Sequence, residues 1–161
     1  MQQSDTNYDE RPSRIPWPPI VFVAVLAAAI ALDWVQPIPW PGLDDWPARA
    51  VGLGFGITGI ALLVYAIITL RRHDTTFLPD AGATTLVTSG PFRRFRNPIY
   101  LADCFILLGL AELTKNVWFV AAAFAFAGLV TWLAVLPEER HLERRFGDAY
   151  RAYKENSRRW L

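Results

Sequence analysis

The sequence is poor in the residues that staple or metallate small proteins: of 161 residues one is cysteine, Cys104, and two are histidine, His73 and His141. A single thiol excludes an internal disulfide and a cysteine-rich metal site, and two imidazoles argue against structural zinc, so the fold must be held by burial. Charge is scarce as well. Charged residues make up 19% of the chain, and 16 Lys and Arg against 15 Asp and Glu leave a formal +1, which gives no reason to invoke nucleic acid. Hydrophobic residues reach 53%, too many for a disordered chain, and the length suits one domain. No internal repeat or low-complexity tract is present.

Charge is missing altogether from residues 15–32, 50–70 and 117–137, each close to the roughly 20 residues a helix needs to cross hydrocarbon. A fourth apolar segment, 98–111, is shorter and carries Asp103. Counting it as a span lets the charges sort. With the N-terminus inside, the inner segments hold Arg11, Arg14, Arg71, Arg72, Arg93, Arg94, Arg96, Arg140, Arg144, Arg145, Arg151, Lys154, Arg158 and Arg159, and the outer loops only Arg49 and Lys115. That is the positive-inside pattern. The expected fold is all-α: a polytopic membrane bundle of about four spanning helices plus a C-terminal amphipathic helix, with both termini cytoplasmic, in a bacterial inner membrane. Trp17, Trp34, Trp40, Trp46, Trp118 and Trp132 fall mostly near the expected helix ends, where indoles prefer the headgroup region. The first span, with Ala29-Ile30-Ala31, could be read as a signal peptide, but Asp5, Asp9 and Glu10 ahead of it argue against that.

Residues 1–14 read as a disordered cytoplasmic tail ahead of a single membrane domain, 15–161. Residues 33–47 contain Pro37, Pro39, Pro41, Pro47 and Gly42 and cannot be helical throughout. The inner stretch 71–97 is long enough to carry function. One motif is deceptive. Gly54-Phe55-Gly56-Ile57-Thr58-Gly59 fits a dinucleotide-binding fingerprint, yet it lies inside a span rather than at a strand-to-helix turn. Gly52 and Gly56, with Gly59 and Ala48, instead make a small-residue face where another backbone can approach.

The informative stretch runs from Thr88 to Tyr100. Gly90-Pro91 makes a turn, Asn97 suits an N-cap and Pro98 the first helical position, so a helix should start there with N–H groups, Arg93 and Arg96 favouring an anion. The alternative is that the arginines merely anchor a helix end to anionic headgroups. After the last span come Glu138 and Glu139, followed by Leu142, Phe146, Ala149, Tyr150 and Tyr153 at helical spacing. This predicts an amphipathic helix lying on or folding back under the bilayer. Acidic residues in a first turn are common caps. A pair of them at the mouth of a bundle is better explained by a cationic or zwitterionic ligand.

The run Leu86-Val87-Thr88-Ser89-Gly90-Pro91-Phe92-Arg93, then Arg96-Asn97-Pro98-Ile99-Tyr100-Leu101, Glu138-Glu139-Arg140 and Phe146-Gly147-Asp148-Ala149-Tyr150 to Tyr153, ending near Arg159-Trp160, resembles the isoprenylcysteine carboxyl methyltransferase and phospholipid methyltransferase superfamily over residues 71–161. The resemblance implies an integral membrane enzyme using S-adenosylmethionine without a Rossmann fold, its cofactor held by the inner loop 71–97 and the C-terminal residues 137–161. The family motif usually has histidine where this chain has Asn97, and asparagine cannot titrate, which excludes proton transfer there. By carry-over and by charge, Gly90, Pro91, Arg93, Arg96, Asn97, Pro98, Tyr100, Glu138 and Glu139 are the expected cofactor contacts. Glu139, Arg96 and Asp103 are the expected catalytic set, Tyr150, Tyr153 and Arg159 the expected acceptor side, and no metal is expected.

Methyl transfer from a sulfonium requires alignment and exclusion of water more than acid or base. The acceptor should be a lipophilic molecule, a carboxylate or amine on an isoprenoid or lipid, reaching the site from the bilayer. A carboxylate needs no base, whereas an amine does; His141 is a weak candidate, read as a surface residue of an arginine-rich helix, and Asp103 faces either the site or a helix partner. Cys104 reads as a small buried apolar residue. Two other readings remain: an NADPH-dependent membrane reductase of sterol or isoprenoid type, and a non-catalytic membrane partner protein. The Gly52 and Gly56 face could serve an internal or a between-chain contact.

Overall fold

The computed structural model describes residues 15–42, 44–73 and 85–161; the expected N-terminal tail and residues 74–84 of the inner loop lie outside them. Its elements are α1 (Trp17–Val35), α2 (Trp46–Arg72), a 3-10 turn (Gly90–Arg93), α3 (Pro98–Thr114), α4 (Trp118–Val130), a π-helical turn (Thr131–Val135), α5 (Leu136–Phe146) and α6 (Asp148–Asn156). Three helices are long and apolar enough to cross a membrane: α1, α2 and the continuous Trp118–Phe146 rod made of α4, the π turn and α5. The protein is therefore an all-α integral membrane protein. At 17 residues, α3 is about 25 Å long, a few ångströms short of the hydrocarbon, yet it lies beside α2 within the bundle. About four membrane helices is thus compatible with the architecture.

The helices pack in the order α2, α3, α4, α1. Proline and glycine keep residues 36–42 out of a helix, and α2 starts where the Asp45 carboxylate accepts a hydrogen bond from the Ala48 N–H at 2.9 Å, with Pro47 in its first turn. The expected bounds 50–70 were short at both ends, because the cap at Asp45 and the arginines at the C-terminal end of the helix dipole extend it. The small-residue face of α2 meets α3 antiparallel. Gly56 lies against the backbone of Gly109, and a Cβ on Gly59 would come within 2.8 Å of the Ala102 carbonyl. The G-x-x-x-G contact is therefore internal, and the dinucleotide reading is excluded by the helix that carries it.

On the other side of α3, Leu107 and Ala111 join Val21, Val25 and Ala29 of α1 and Phe119, Phe126 and Val130 of the last rod in one apolar core. Phe22 meets Phe126 edge to face at 5.7 Å between centroids. Asn116, between α3 and α4, closes this core at one end: its Nδ2 donates to the Ala29 carbonyl at 3.1 Å and its Oδ1 accepts from the Trp118 N–H at 2.8 Å. Beside it, Lys115 bridges Glu112 and Asp44, and Asp44 also pairs with Arg49 at 2.9 Å, so the loop ahead of α2 is tied to α3. Val23, Ile57, Ile60, Phe124 and Trp132 point outward, the surface a bilayer would cover.

The last span does not stop at Pro137, as expected from the sequence. Pro137 has no N–H to give the Leu133 carbonyl, and its ring would crowd that carbonyl in an α-helix. The π turn resolves the conflict one step earlier, with the Leu136 N–H reaching back five residues to the Thr131 carbonyl. The helix carries on to Phe146, and the extra residue rotates the face of α5 by about 100°. The break comes instead at Gly147, whose φ is +53°, so the single amphipathic helix expected from the sequence is two helices, α5 and α6.

Glycine at the α2–α3 seam gives a direct test. Gly109→Ala should lower the thermal stability of the detergent-purified protein by about 1–3 kcal/mol through overpacking against the Gly56 backbone. Gly54→Ala, whose Cβ would meet nothing within 4 Å, should raise it by about 0.5–1 kcal/mol; equal effects of the two would contradict the seam.

Candidate functional site

The 3-10 turn ahead of α3 is anchored before it can present anything. Gly90, at φ +58°, sits on α2 so closely that a Cβ would come within 2.6 Å of Thr69 Oγ1, Pro91 is buried, and Ser89 Oγ lies 3.2 Å from His73 Nε2. Gly90 and Pro91, both expected cofactor contacts, thus pack the 3-10 turn against the C-terminal end of α2. Asn97 does not cap α3 either. Its side chain makes no capping bond and its Nδ2 donates to the Arg159 carbonyl at 2.9 Å, with Asn97 and Pro98 both buried. The Asn97 amide is thus taken up by the chain segment past α6.

That segment lies along residues 94–97 as a short parallel bridge between Phe95 and Arg158. The Arg96 N–H donates to the Arg158 carbonyl at 2.7 Å and the Arg158 N–H to the Arg94 carbonyl at 2.9 Å. Arg96 then reaches three partners: Nη1 donates to the Lys154 carbonyl at 3.1 Å and the Ser157 carbonyl at 2.6 Å, and Nε to Glu139 Oε1 at 3.1 Å. Arg159 grips the same carboxylate with two prongs, Nε to Oε1 at 3.0 Å and Nη2 to Oε2 at 2.6 Å. Both oxygens of Glu139 are engaged. Its carboxylate is 10% exposed, a setting in which charge-assisted, bidentate bonds are strongest, and its hydrogen bonds push the Arg159 pKa above the ordinary value.

Glu138, the adjacent residue, has a different environment. Its Oε1 accepts a hydrogen bond from the Tyr100 hydroxyl at 2.8 Å, and no cation among the described residues pairs with it. Asp103 lies one turn along α3 from Tyr100, half-buried, with no hydrogen bond or ion pair among the described residues. The cluster therefore has two poles. One is acidic and lacks a counter-charge, at Glu138 and Asp103 around Tyr100. The other, Arg96–Glu139–Arg159, carries two positive charges on one negative.

The remaining expected residues are arranged around these poles. Tyr150 is 1% exposed, and burial raises its phenol pKa. Tyr153 donates to the Phe92 carbonyl at 2.6 Å and its phenol is pushed up to about 12 by burial. Tyr153 thereby ties α6 to the 3-10 turn, and the Tyr150 ring lies 6.0 Å from the Tyr153 ring between centroids. Arg93 is exposed with no partner among the described residues. His141 is buried, not on the surface as expected, because the turn of α5 after the π register carries it inward. Cys104 Sγ lies 3.8 Å from the Ala123 carbonyl, a packing contact. Ser157 and the bridge at Arg158 escape sequence reasoning; a serine two residues ahead of Arg159 gives no signal by itself.

Glu139→Gln should cost about 2 kcal/mol and release the C-terminal segment to limited proteolysis, whereas Tyr100→Phe should cost about 1 kcal/mol and leave that segment protected. Equal protection in the wild type and the Glu139→Gln variant would contradict the pairing.

Set beside known proteins, residues 47–149 match the phospholipid methyltransferase family model. The nickel-cobalt-cadmium resistance protein NccN of Alcaligenes xylosoxydans xylosoxydans is 28% identical over 99 residues, 62% of this chain and 44% of that protein. The cobalt-zinc-cadmium resistance protein CzcN of Cupriavidus metallidurans is 35% identical over 107 residues, 66% of this chain and 46% of that protein. The chain spans less than half the length of these curated relatives. No solved structure matches. The family match takes in α2 and its glycine seam, the turn with Arg96 and the Glu138–Glu139 pair, well over half of the sequence, and the chain belongs to the phospholipid methyltransferase family.

Proposed function

We propose that the protein is an S-adenosylmethionine-dependent methyltransferase acting on a lipophilic acceptor, a carboxylate or amine on an isoprenoid or lipid-like molecule, at the cytoplasmic face of the membrane. The observation that carries this is the pairing of two unlike poles on adjacent residues. Glu138 has a tyrosine and no cation against it, whereas Glu139 has two arginines. A zwitterion fits such a pair, with an ammonium at Glu138 and a carboxylate toward the arginines. S-Adenosylmethionine, when bound, supplies an activated methyl group on a sulfonium and a zwitterionic amino-acid end. In this reading Glu138 is the ligand contact of the two glutamates, Tyr100 orients it, and Glu139 holds the architecture.

The chain's own work in the reaction is alignment and exclusion of water. The Arg96 clasp fixes the inner end of α3 against α5, so that Tyr100 and Glu138 keep one geometry. Asp103 stands one turn further along α3, a second acid available to an acceptor reaching the site from the bilayer. Positive charge collected at the inner ends of the helices supports a cytoplasmic site with both termini inside. The relatives' names attach them to nickel, cobalt, zinc and cadmium resistance. Among the described residues no group of three His, Cys, Asp or Glu gathers to hold a metal, and a metal site is no part of the proposal.

Calorimetric titration of the detergent-purified protein with S-adenosylhomocysteine, with NADPH in parallel, tests it. The expected result is saturable binding of the former alone, weakened about 10- to 100-fold in Glu138→Gln by loss of a charge-assisted bond, with thermal stability within about 1 kcal/mol of wild type. Binding of NADPH alone would favour the reductase reading, and binding of neither by folded protein the non-catalytic one.

A further inference from the structure

The segment after α6 makes its own contribution to the cationic pole. Without it, Arg96 and Glu139 would form a neutral pair. With it, Arg159 arrives as a second guanidinium on a carboxylate already engaged, and the trio carries one positive charge in excess. Arg96 and Arg159 use Nε and one Nη each, which leaves Nη2 of Arg96 and Nη1 of Arg159 without a hydrogen bond among the described residues. The Arg159 side chain is 41% exposed, so its free prong can meet a ligand from the aqueous side. The backbone that carries it is held as well by bonds that do not use its side chain: the 95–158 bridge, the bond from Asn97 to the Arg159 carbonyl and Arg96 on the Ser157 carbonyl. This segment also lies beyond the stretch matched by the family model.

We propose that residues 157–160 form a strap that completes the ligand site, and that Arg159 on this strap is the specificity residue for a ligand carboxylate. The strap divides the labour at one glutamate. Glu139 orients the Arg159 fork from one side, and the other side of the fork selects a ligand bearing an anionic group next to the cation that Glu138 takes. This rests on the methyltransferase reading and deepens it. It makes the amino-acid end of the cofactor, rather than its adenosine, the part recognised by the strap.

The test compares two probes differing in that end. S-Adenosylhomocysteine has the amino-acid carboxylate and ammonium; 5′-methylthioadenosine has the same nucleoside and thioether without them. Arg159→Gln in the full chain should weaken S-adenosylhomocysteine binding about 10- to 100-fold, the loss of one charge-assisted contact, and leave 5′-methylthioadenosine binding unchanged. Arg159→Lys, which keeps the charge but not the fork, should fall between. Unchanged binding of both probes overturns the strap's role, and so does an equal loss of both, which would make Arg159 a purely structural support. A wild-type protein that binds neither probe overturns the methyltransferase reading itself, so the two failures are distinguishable.

Discussion

A carboxylate held largely out of water needs its charge met, and Glu139 has it met twice. Arg96 comes from the turn before α3 and Arg159 from the segment after α6, two parts of the chain more than 60 residues apart. This contact ties both of those segments to α5. It lays residues 157–160 along residues 94–97, brings α6 under the 3-10 turn through Tyr153, and fixes the inner end of α3 beside α5. Removing one partner of such a buried cluster leaves another charge stranded, which is why it specifies one arrangement more sharply than an apolar patch would.

The rest of the molecule delivers these residues to that point. Glycines set α2 against α3 at backbone distance, which seats the 3-10 turn on Thr69. The π turn ahead of Pro137 carries the last membrane helix past the proline without a break and turns the face of α5 by about 100°. Glu138 and Glu139 are neighbours in sequence but point to different partners because consecutive residues on a helix are separated by that same angle. A membrane helix of ordinary register would present a different face to Tyr100. The register change ahead of Pro137 thus becomes a means of aiming two acids.

Much of this was legible in the sequence. Uncharged runs located the spans, the spacing of Gly52 and Gly56 gave the seam, and Glu138-Glu139 with Arg96 fall in one cluster. What escaped was the consequence of each group finding a protein partner. Asn97 has the chemistry of a cap, yet its amide bonds a carbonyl 62 residues away, which no local pattern encodes. Arg96 and Glu139 each suit a ligand, but opposite charges pair with one another when the fold brings them together. Pro137 reads as a helix end because the alternative, a widened turn one residue earlier, depends on the packing of Ala134 and Val135 in the core. The burial of His141 is hidden for the same reason, since it depends on the register after that turn.

The central claim is that Glu139 and Arg96 act as one unit joining the two motif blocks. A double-mutant cycle on Arg96→Gln and Glu139→Gln, read by thermal unfolding in detergent, measures it directly. The account predicts that the double variant is more stable than the sum of the single losses implies, with a coupling of at least about 1 kcal/mol; strictly additive losses would contradict it.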